Sequence, residues 1–104
     1  MFARIVTFQR SASSLDESAR LAREQVIPLI RRQPGYRGAY VLVDRASGKQ
    51  LGITLWDSPE HASGSAAHND VRDQTSRDLG DATPPVTEVF EVDLIDQPTA
   101  SATA

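Results

Sequence analysis

The sequence predicts an α+β domain in which two helices lie on one face of a four-stranded antiparallel sheet, in the chain order β-α-β-β-α-β. Three observations lead there. Four segments rich in β-branched and aromatic residues, at 2–9, 36–44, 50–57 and 86–95, are bounded by Ser, Gly or Pro signals. Helical patterns separate the first segment from the second and the third from the fourth. A Gly-containing turn of hairpin length, Arg45-Ala46-Ser47-Gly48-Lys49, joins the middle pair. The 104 residues, 39% hydrophobic and 24% charged, suit one such domain. It occupies residues 1–96, and the low-complexity stretch 97–104 reads as a flexible tail.

The first strand, Phe-Ala-Arg-Ile-Val-Thr-Phe-Gln, stops at a Ser-rich stretch. Ser14-Leu15-Asp16-Glu17 then matches a capping box, in which the serine oxygen takes an orphan amide and the glutamate reaches back. Leu15, Ala19, Ala22, Val26, Leu29 and Ile30 recur at the spacing of one helical face until Pro34-Gly35 stops the helix. Pro28 has no amide to donate to the carbonyl of Glu24, so a bend or local break is expected within residues 24–28. After the central hairpin, Ser58-Pro59-Glu60 reads as an N-cap with proline at the first helical position. The second helix runs to about Leu79, with Gly80 as its stop. Pro84-Pro85 precede the fourth strand, which alternates over part of its length. This order is the split arrangement of a ferredoxin-like domain.

An antiparallel sheet with one wet face alternates polar and apolar residues. This one does not. Both alternating sets of strand one, Phe2/Val6/Phe8 and Ala3/Ile5, are apolar, and residues 39–43 are an unbroken apolar run. Two apolar faces call for a second covering layer that the remaining chain does not supply. A second copy packing its sheet against this one supplies it, and a homodimer is expected. A chain this short also buries a modest share of its unfolded surface, so association would help stability.

The absence of cysteine excludes a disulfide framework, thiolate metal sites and cysteine nucleophiles, and fits a reducing compartment. The amino terminus lacks the pattern of a signal peptide and no long apolar run occurs, so a cytoplasmic protein without a membrane partner is expected. Eleven Lys+Arg scattered among fourteen Asp+Glu leave no electrostatic footprint for nucleic acid. Dinucleotide, phosphate-loop and hydrolase-elbow motifs are absent.

Several side chains carry chemistry. His61 and His68 stand seven residues apart, about two helical turns, and could share one side of the second helix as proton-transfer groups or simply face solvent. Their axial separation of about 10 Å is too long for joint chelation, and no metal site is expected. Trp56 ends the third strand, either as a flat wall for an aromatic ligand or as a core anchor. Tyr40 could orient a phenolic ligand or find a partner at a subunit boundary. Arg4 interrupts an apolar strand, so it pairs with a carboxylate, Glu88 or Glu91 of strand four, or serves as a substrate-binding cation. The small residues Ala62, Gly64, Ser65, Ala66 and Ala67 of the second helix leave either room for a ligand or a close helix–sheet contact.

The start Met-Phe-Ala-Arg-Ile, the Pro28 and Gln33-Pro34-Gly35-Tyr36-Arg37-Gly38 join, the Val43-Asp44-Arg45 to Gly48-Lys49 hairpin and Thr54-Leu55-Trp56-Asp57-Ser58 resemble the antibiotic biosynthesis monooxygenase family. The similarity covers residues 2–95. It implies a dimeric α/β barrel, the dimer of ferredoxin-like subunits, and an oxygenase that works on a small aromatic phenol or quinol without cofactor, neither metal nor flavin. On that implication His68 or His61 is the base, Trp56 and Tyr40 hold the ring, and Arg4 stabilises the phenolate. The haem-degrading branch uses an Asn on its first strand and a Trp and His along its second helix. The nearest positions here hold Val6 or Thr7, Ser65 and Thr75, which speaks against haem. The rival reading is a non-catalytic dimer that binds a small apolar metabolite or a protein partner.

Overall fold

The structure is a computed structural model that describes residues 1–63 and 85–96. Strands β1 (Phe2–Gln9), β2 (Tyr36–Asp44), β3 (Lys49–Trp56) and β4 (Val86–Glu91) form one antiparallel sheet in the order β2-β3-β1-β4. Between β1 and β2 the chain is continuously helical in four pieces: a 3₁₀ turn Ala12–Ser14, α1 (Leu15–Leu21), a π turn Ala22–Val26 and α2 (Ile27–Ile30). Helix α3 starts at Pro59 and is described to Ser63. The α+β, ferredoxin-like class expected from the sequence is the fold observed.

The strand ends follow from local chemistry. Gly48 closes the β2–β3 hairpin at φ +81°, a conformation a side chain would strain, and its amide donates to the Asp44 carbonyl at 2.8 Å. Arg37 sits in an irregularity of the β2–β3 ladder between Tyr36 and Gly38, and its side chain pairs with Asp57 beyond the end of β3. Strand β4 ends at Glu91, earlier than the 86–95 expected. The Val92 amide still reaches the Met1 carbonyl at 2.9 Å, just past the last paired residues, Phe2 and Glu91.

The helix ends test two capping readings. Ser58 caps α3 as expected, its Oγ accepting the His61 amide at 3.1 Å. The capping box at Ser14 does not form. The Ser14 and Leu15 amides are already taken by the Ser11 and Ala12 carbonyls of the 3₁₀ turn, Ser14 Oγ donates back to Ser11, and Glu17 pairs with Arg20.

Pro28 produces the expected disturbance in a specific form. The Ile27 amide reaches back five residues to the Ala22 carbonyl, so the missing proline amide falls where the wider π turn has already changed the register. The extra residue rotates the apolar stripe after the turn, bringing Ile27 in and turning Leu29 out, while in α1 the buried positions are Leu15, Ser18 and Leu21. Ser18, Ala22, Val26, Ile27 and Ile30 face the sheet, whereas Ala19 and Leu29, assigned to that face by a uniform helical period, are exposed. The interior is anchored by Phe8, Leu15, Leu21, Trp56 and Ala62.

By register, Arg4, Val6 and Phe8 of β1 share the helix-covered face with Gln50, Gly52 and Thr54 of β3. The other face presents Ile5, Leu51, Ile53, Leu55, Tyr40, Leu42 and Phe90. It is apolar as expected, and Tyr40, Leu42 and Phe90 are exposed on it.

Candidate functional site

A cavity of about 90 Å³ lies between the sheet and the helical layer. Its floor is Val6, Phe8, Ala39, Val41, Gly52 and Thr54, and its roof is Ser18, Ala22, Val26, Ile27 and Ile30. Small residues line it from both layers: Ala22 of the π turn, and Ala39 and Gly52 of the sheet. A Cβ on Gly52 would come no nearer than 4.0 Å to the Phe8 ring, so this glycine leaves room rather than relieving a clash. The small residues of the second helix do not line this cavity among the described residues; it opens under the first helix, and Gly64, Ser65, Ala66 and Ala67 lie outside the described residues.

Polar groups occupy the wall at two places. Arg10, Gln50 and Ser18 form a buried cluster in which Gln50 Oε1 accepts from Arg10 Nε at 2.9 Å and from Ser18 Oγ. The Arg10 guanidinium lies 4.1 Å over the Phe8 ring, which fixes it in a second direction. Arg4 and Thr54 are paired across β1 and β3 and line the cavity together, with Arg4 only 4% exposed. Trp56 Nε1 donates to Thr54 Oγ1 at 2.7 Å, leaving the hydroxyl proton of Thr54 for another acceptor.

A second, more open hollow of about 450 Å³ adjoins the first, sharing Ala22, Ile27, Ala39 and Val41 with it. It runs between the helical layer and β2, past Pro28 and Tyr36, and carries Arg23 and Arg31 at its rim.

The structure sorts the expected site residues. Arg4 is in the cavity wall. Val89 stands opposite it on β4, Glu88 belongs to the other face of the sheet, and Glu91 shares Arg4's face two residues along. Trp56 is 1% exposed, lies outside the cavity lining and meets Tyr36 edge-on at 5.8 Å, so it is a core anchor that acts on the cavity through Thr54. Tyr40 borders both hollows, but strand alternation sends its ring to the uncovered face, where it is 53% exposed. His61 is exposed, sits against Gly35 and is not part of either lining. His68 lies outside the described residues. Among the described residues no three of His, Asp and Glu converge as a metal site would require, and no helix is long and apolar enough to cross a membrane.

Arg10, Gln50, Ser18 and Thr54 were not singled out in the sequence. Alternation alone could have found two of them. Arg10 follows Arg4, Val6 and Phe8 in phase, and Gln50 opens the matching phase of β3.

No protein-family model matches the chain. An uncharacterised protein of Mycobacterium tuberculosis is 31% identical over 90 residues, which are 85% of this chain, and this chain spans 39% of that relative's length. Among solved structures, a monooxygenase of Streptomyces coelicolor in complex with nanaomycin D superposes with a TM-score of 0.74 at 19% identity, covering 94% of this chain and 92% of that one. A candidate antibiotic biosynthesis monooxygenase from Deinococcus radiodurans gives 0.69 at 17% identity, covering 96% and 100%. The chain has the fold of the antibiotic biosynthesis monooxygenases, as the sequence resemblance implied.

Proposed function

We propose that this chain, carrying the antibiotic biosynthesis monooxygenase fold, oxidises a small electron-rich phenol or quinol with molecular oxygen in the cavity beneath the π turn. The observation that carries the reading is the cavity itself: an apolar chamber between sheet and helix whose wall holds the Arg4 guanidinium and the Thr54 hydroxyl. Those two groups suit a phenolate. A cation in a low-dielectric wall favours the ionised phenol, and the ionised ring is the electron donor that oxygen requires.

The balance needs no outside reductant. A ring CH₂ loses two hydrogens and gains one oxygen atom as a carbonyl, while the second oxygen atom leaves as water, so the substrate supplies all four electrons. This chain's share is to bind the ring, hold its phenolate on Arg4 and take up the first proton. His68 is the proposed proton acceptor; the placement of His61 outside the cavity lining weighs against giving it that part. Trp56 holds Thr54 in position, and Tyr40 belongs to the subunit boundary rather than to the ring.

We further propose that the active form is a cytoplasmic homodimer joined through the uncovered sheet faces. Its support is the exposed apolar set Tyr40, Leu42, Val86 and Phe90, continued by Leu94, which is 81% exposed in the segment after β4. Native mass spectrometry reads the subunit count directly, and a monomer at micromolar concentration would overturn this part.

The rival, a non-catalytic binding module, draws on one observation: among the described residues the cavity wall has no carboxylate or imidazole to serve as base. Oxygen uptake separates the two. Hydroquinone- or anthrone-type substrates should be consumed with oxygen by the wild type, a His68→Ala variant should lose most of the rate and His61→Ala should keep it. Tight binding without uptake would favour the rival.

A further inference from the structure

Strand β2 is an outer strand of the sheet: β3 pairs with one edge, and no described residue pairs with the other. A free edge is usually protected by charge, proline or a bulge. The run Ala39–Val43 carries none of these, and Tyr40, Val41, Leu42 and Val43 are each between 39% and 53% exposed. Its helix-side residues Ala39 and Val41 floor the outer hollow, which therefore has no wall beyond β2 among the described residues. Arg23 and Arg31 stand at the rim of that hollow. Elsewhere on the surface Arg20 pairs with Glu17 and Glu24, Arg37 with Asp57 and Arg45 with Asp16. Arg23 and Arg31 pair with no described residue.

The segment after β4 has the complementary character. Past the Val92 amide, which bonds to Met1, the residues Asp93, Leu94, Ile95 and Asp96 are exposed and form no hydrogen bond or ion pair with a described residue. Two aliphatic side chains between two acids match an apolar edge rimmed by arginines. Phe90 lies on the uncovered face of the sheet, so continued alternation puts Leu94 on that face and Asp93 and Ile95 on the helix side. The segment cannot reach the β2 edge of its own sheet. In the order β2-β3-β1-β4 a strand added beside β2 lies four strand spacings from β4, roughly 19 Å, whereas four residues extend to roughly 14 Å. Another copy can supply what its own chain cannot.

We propose that residues 93–96 of a second copy add as a strand to the free edge of β2 and complete the outer hollow. The partner's Asp93 then stands at the Arg23 and Arg31 rim, the partner's Ile95 walls the hollow, and the partner's Leu94 covers Tyr40 and Leu42. This inference rests on the homodimer proposed above and adds what each subunit contributes to the other's site. Main-chain hydrogen bonds of the added strand supply affinity, and the alternating side chains fix which face each residue reads. Two-fold symmetry makes the contact twice, so both hollows close together.

The chain contains no cysteine, so introduced thiols report this contact without interference. Neighbouring strands bring facing Cα atoms to roughly 4.5–5.5 Å, within disulfide range. Two sets of double variants of the full chain are oxidised mildly. Leu94→Cys is combined with Tyr40→Cys or Leu42→Cys, and Ile95→Cys with Ala39→Cys or Val41→Cys. At least one pairing in each set should give a covalent dimer on a non-reducing gel, whereas Leu94→Cys and Ile95→Cys alone should not. A dimer in native mass spectrometry that no pairing locks would overturn the inference and leave the homodimer standing; a monomer would overturn both. Charge reversal is the second test. Asp93→Arg and Arg23→Glu/Arg31→Glu should each weaken the dimer several-fold, and their combination should recover most of the loss. Failure to recover would overturn the placement of Asp93 at the rim.

Discussion

The indole Nε1 of Trp56 donates to Oγ1 of Thr54 at 2.7 Å, joining the buried anchor of β3 to a residue of the cavity wall. The two are neighbours on one face of the same strand, so the tryptophan acts on the cavity at one remove. In Trp56→Phe the ring stays and the donor goes. The expected cost is about 1–3 kcal/mol of stability, from the lost hydrogen bond and the smaller ring. Phenol affinity should fall several-fold as Thr54 turns, read by titration at a temperature where the variant is fully folded. Unchanged affinity would reduce Trp56 to an anchor alone.

Gly48 of the β2–β3 turn packs directly against the backbone of a cavity residue. A Cβ at this position would lie 2.0 Å from the Arg10 carbonyl, and the Arg10 amide donates to the Gly48 carbonyl at 3.0 Å. Gly48→Ala therefore strains the turn and pushes Arg10 as well. A loss of about 2 kcal/mol or more in chemical denaturation is expected, beyond the 1–2 kcal/mol of a left-handed alanine. A loss below 1 kcal/mol would mean that the turn and Arg10 are not coupled.

Pro28 sets the π turn. Pro28→Ala returns an amide and a better helix former, so the segment can relax to a regular α-helix. Stability should be unchanged or raised by up to about 3 kcal/mol in thermal unfolding, the interior cost of proline that is removed. Ligand affinity should drop, because relaxation carries Val26 and Ile27 away from the sheet. A variant that is more stable and binds normally would show that the π turn does not shape the cavity.

Asp44 gives the hairpin a pH dependence. Its Oδ1 accepts the Ala46 amide at 3.0 Å, and this bond, with help from Ser47, holds the carboxyl below its ordinary value of 3.8. A depressed folded-state value means that the contribution is complete above the unfolded-state value and is lost as pH falls through the folded one, that is, below about pH 4. Amide exchange of residues 45–48 should speed up in that window and lose its pH dependence in Asp44→Asn. An Asp44 carboxyl that titrates at or above 3.8 would contradict this.

Much of this arrangement is legible in the sequence because local chemistry and the tertiary fold agree. Strand β1 runs over Phe2–Gln9 and β2 over Tyr36–Asp44, as their β-branched and aromatic content, the Ser-rich stretch after the first and the glycines around the second indicated. Pro28 announced a break, but not its π form, and so the rotation that exchanges Leu29 for Ile27 beyond the π turn could not be read from a uniform period. Ser14 looked like a cap by type, yet its hydroxyl donates back to the Ser11 carbonyl, and the 3₁₀ turn has already used the Ser14 amide that Glu17 would have met. The site was the least legible part. Arg4 was conspicuous as a charge in an apolar strand, whereas Arg10 looked like the polar end of the same strand, and only the β1–β3 register places it beside Gln50 beneath Ser18. Histidine and tryptophan drew attention by residue type. His61 packs on Gly35 and Trp56 on Tyr36, both outside the cavity lining.

The central claim is that the cavity floored by Gly52 is the ligand chamber, and one substitution tests it most directly. A Cβ at Gly52 meets only the Phe8 ring at an ordinary 4.0 Å, and a β-branched residue suits a strand, so Gly52→Val should fold as well as the wild type while filling the chamber. Calorimetric titration of hydroquinone into both proteins, with melting temperatures measured alongside, should show an equal or higher melting temperature and at least a roughly tenfold loss of affinity, the size of one or two buried methyl groups set against the ligand. Wild-type affinity in a stable Gly52→Val protein would place the ligand elsewhere.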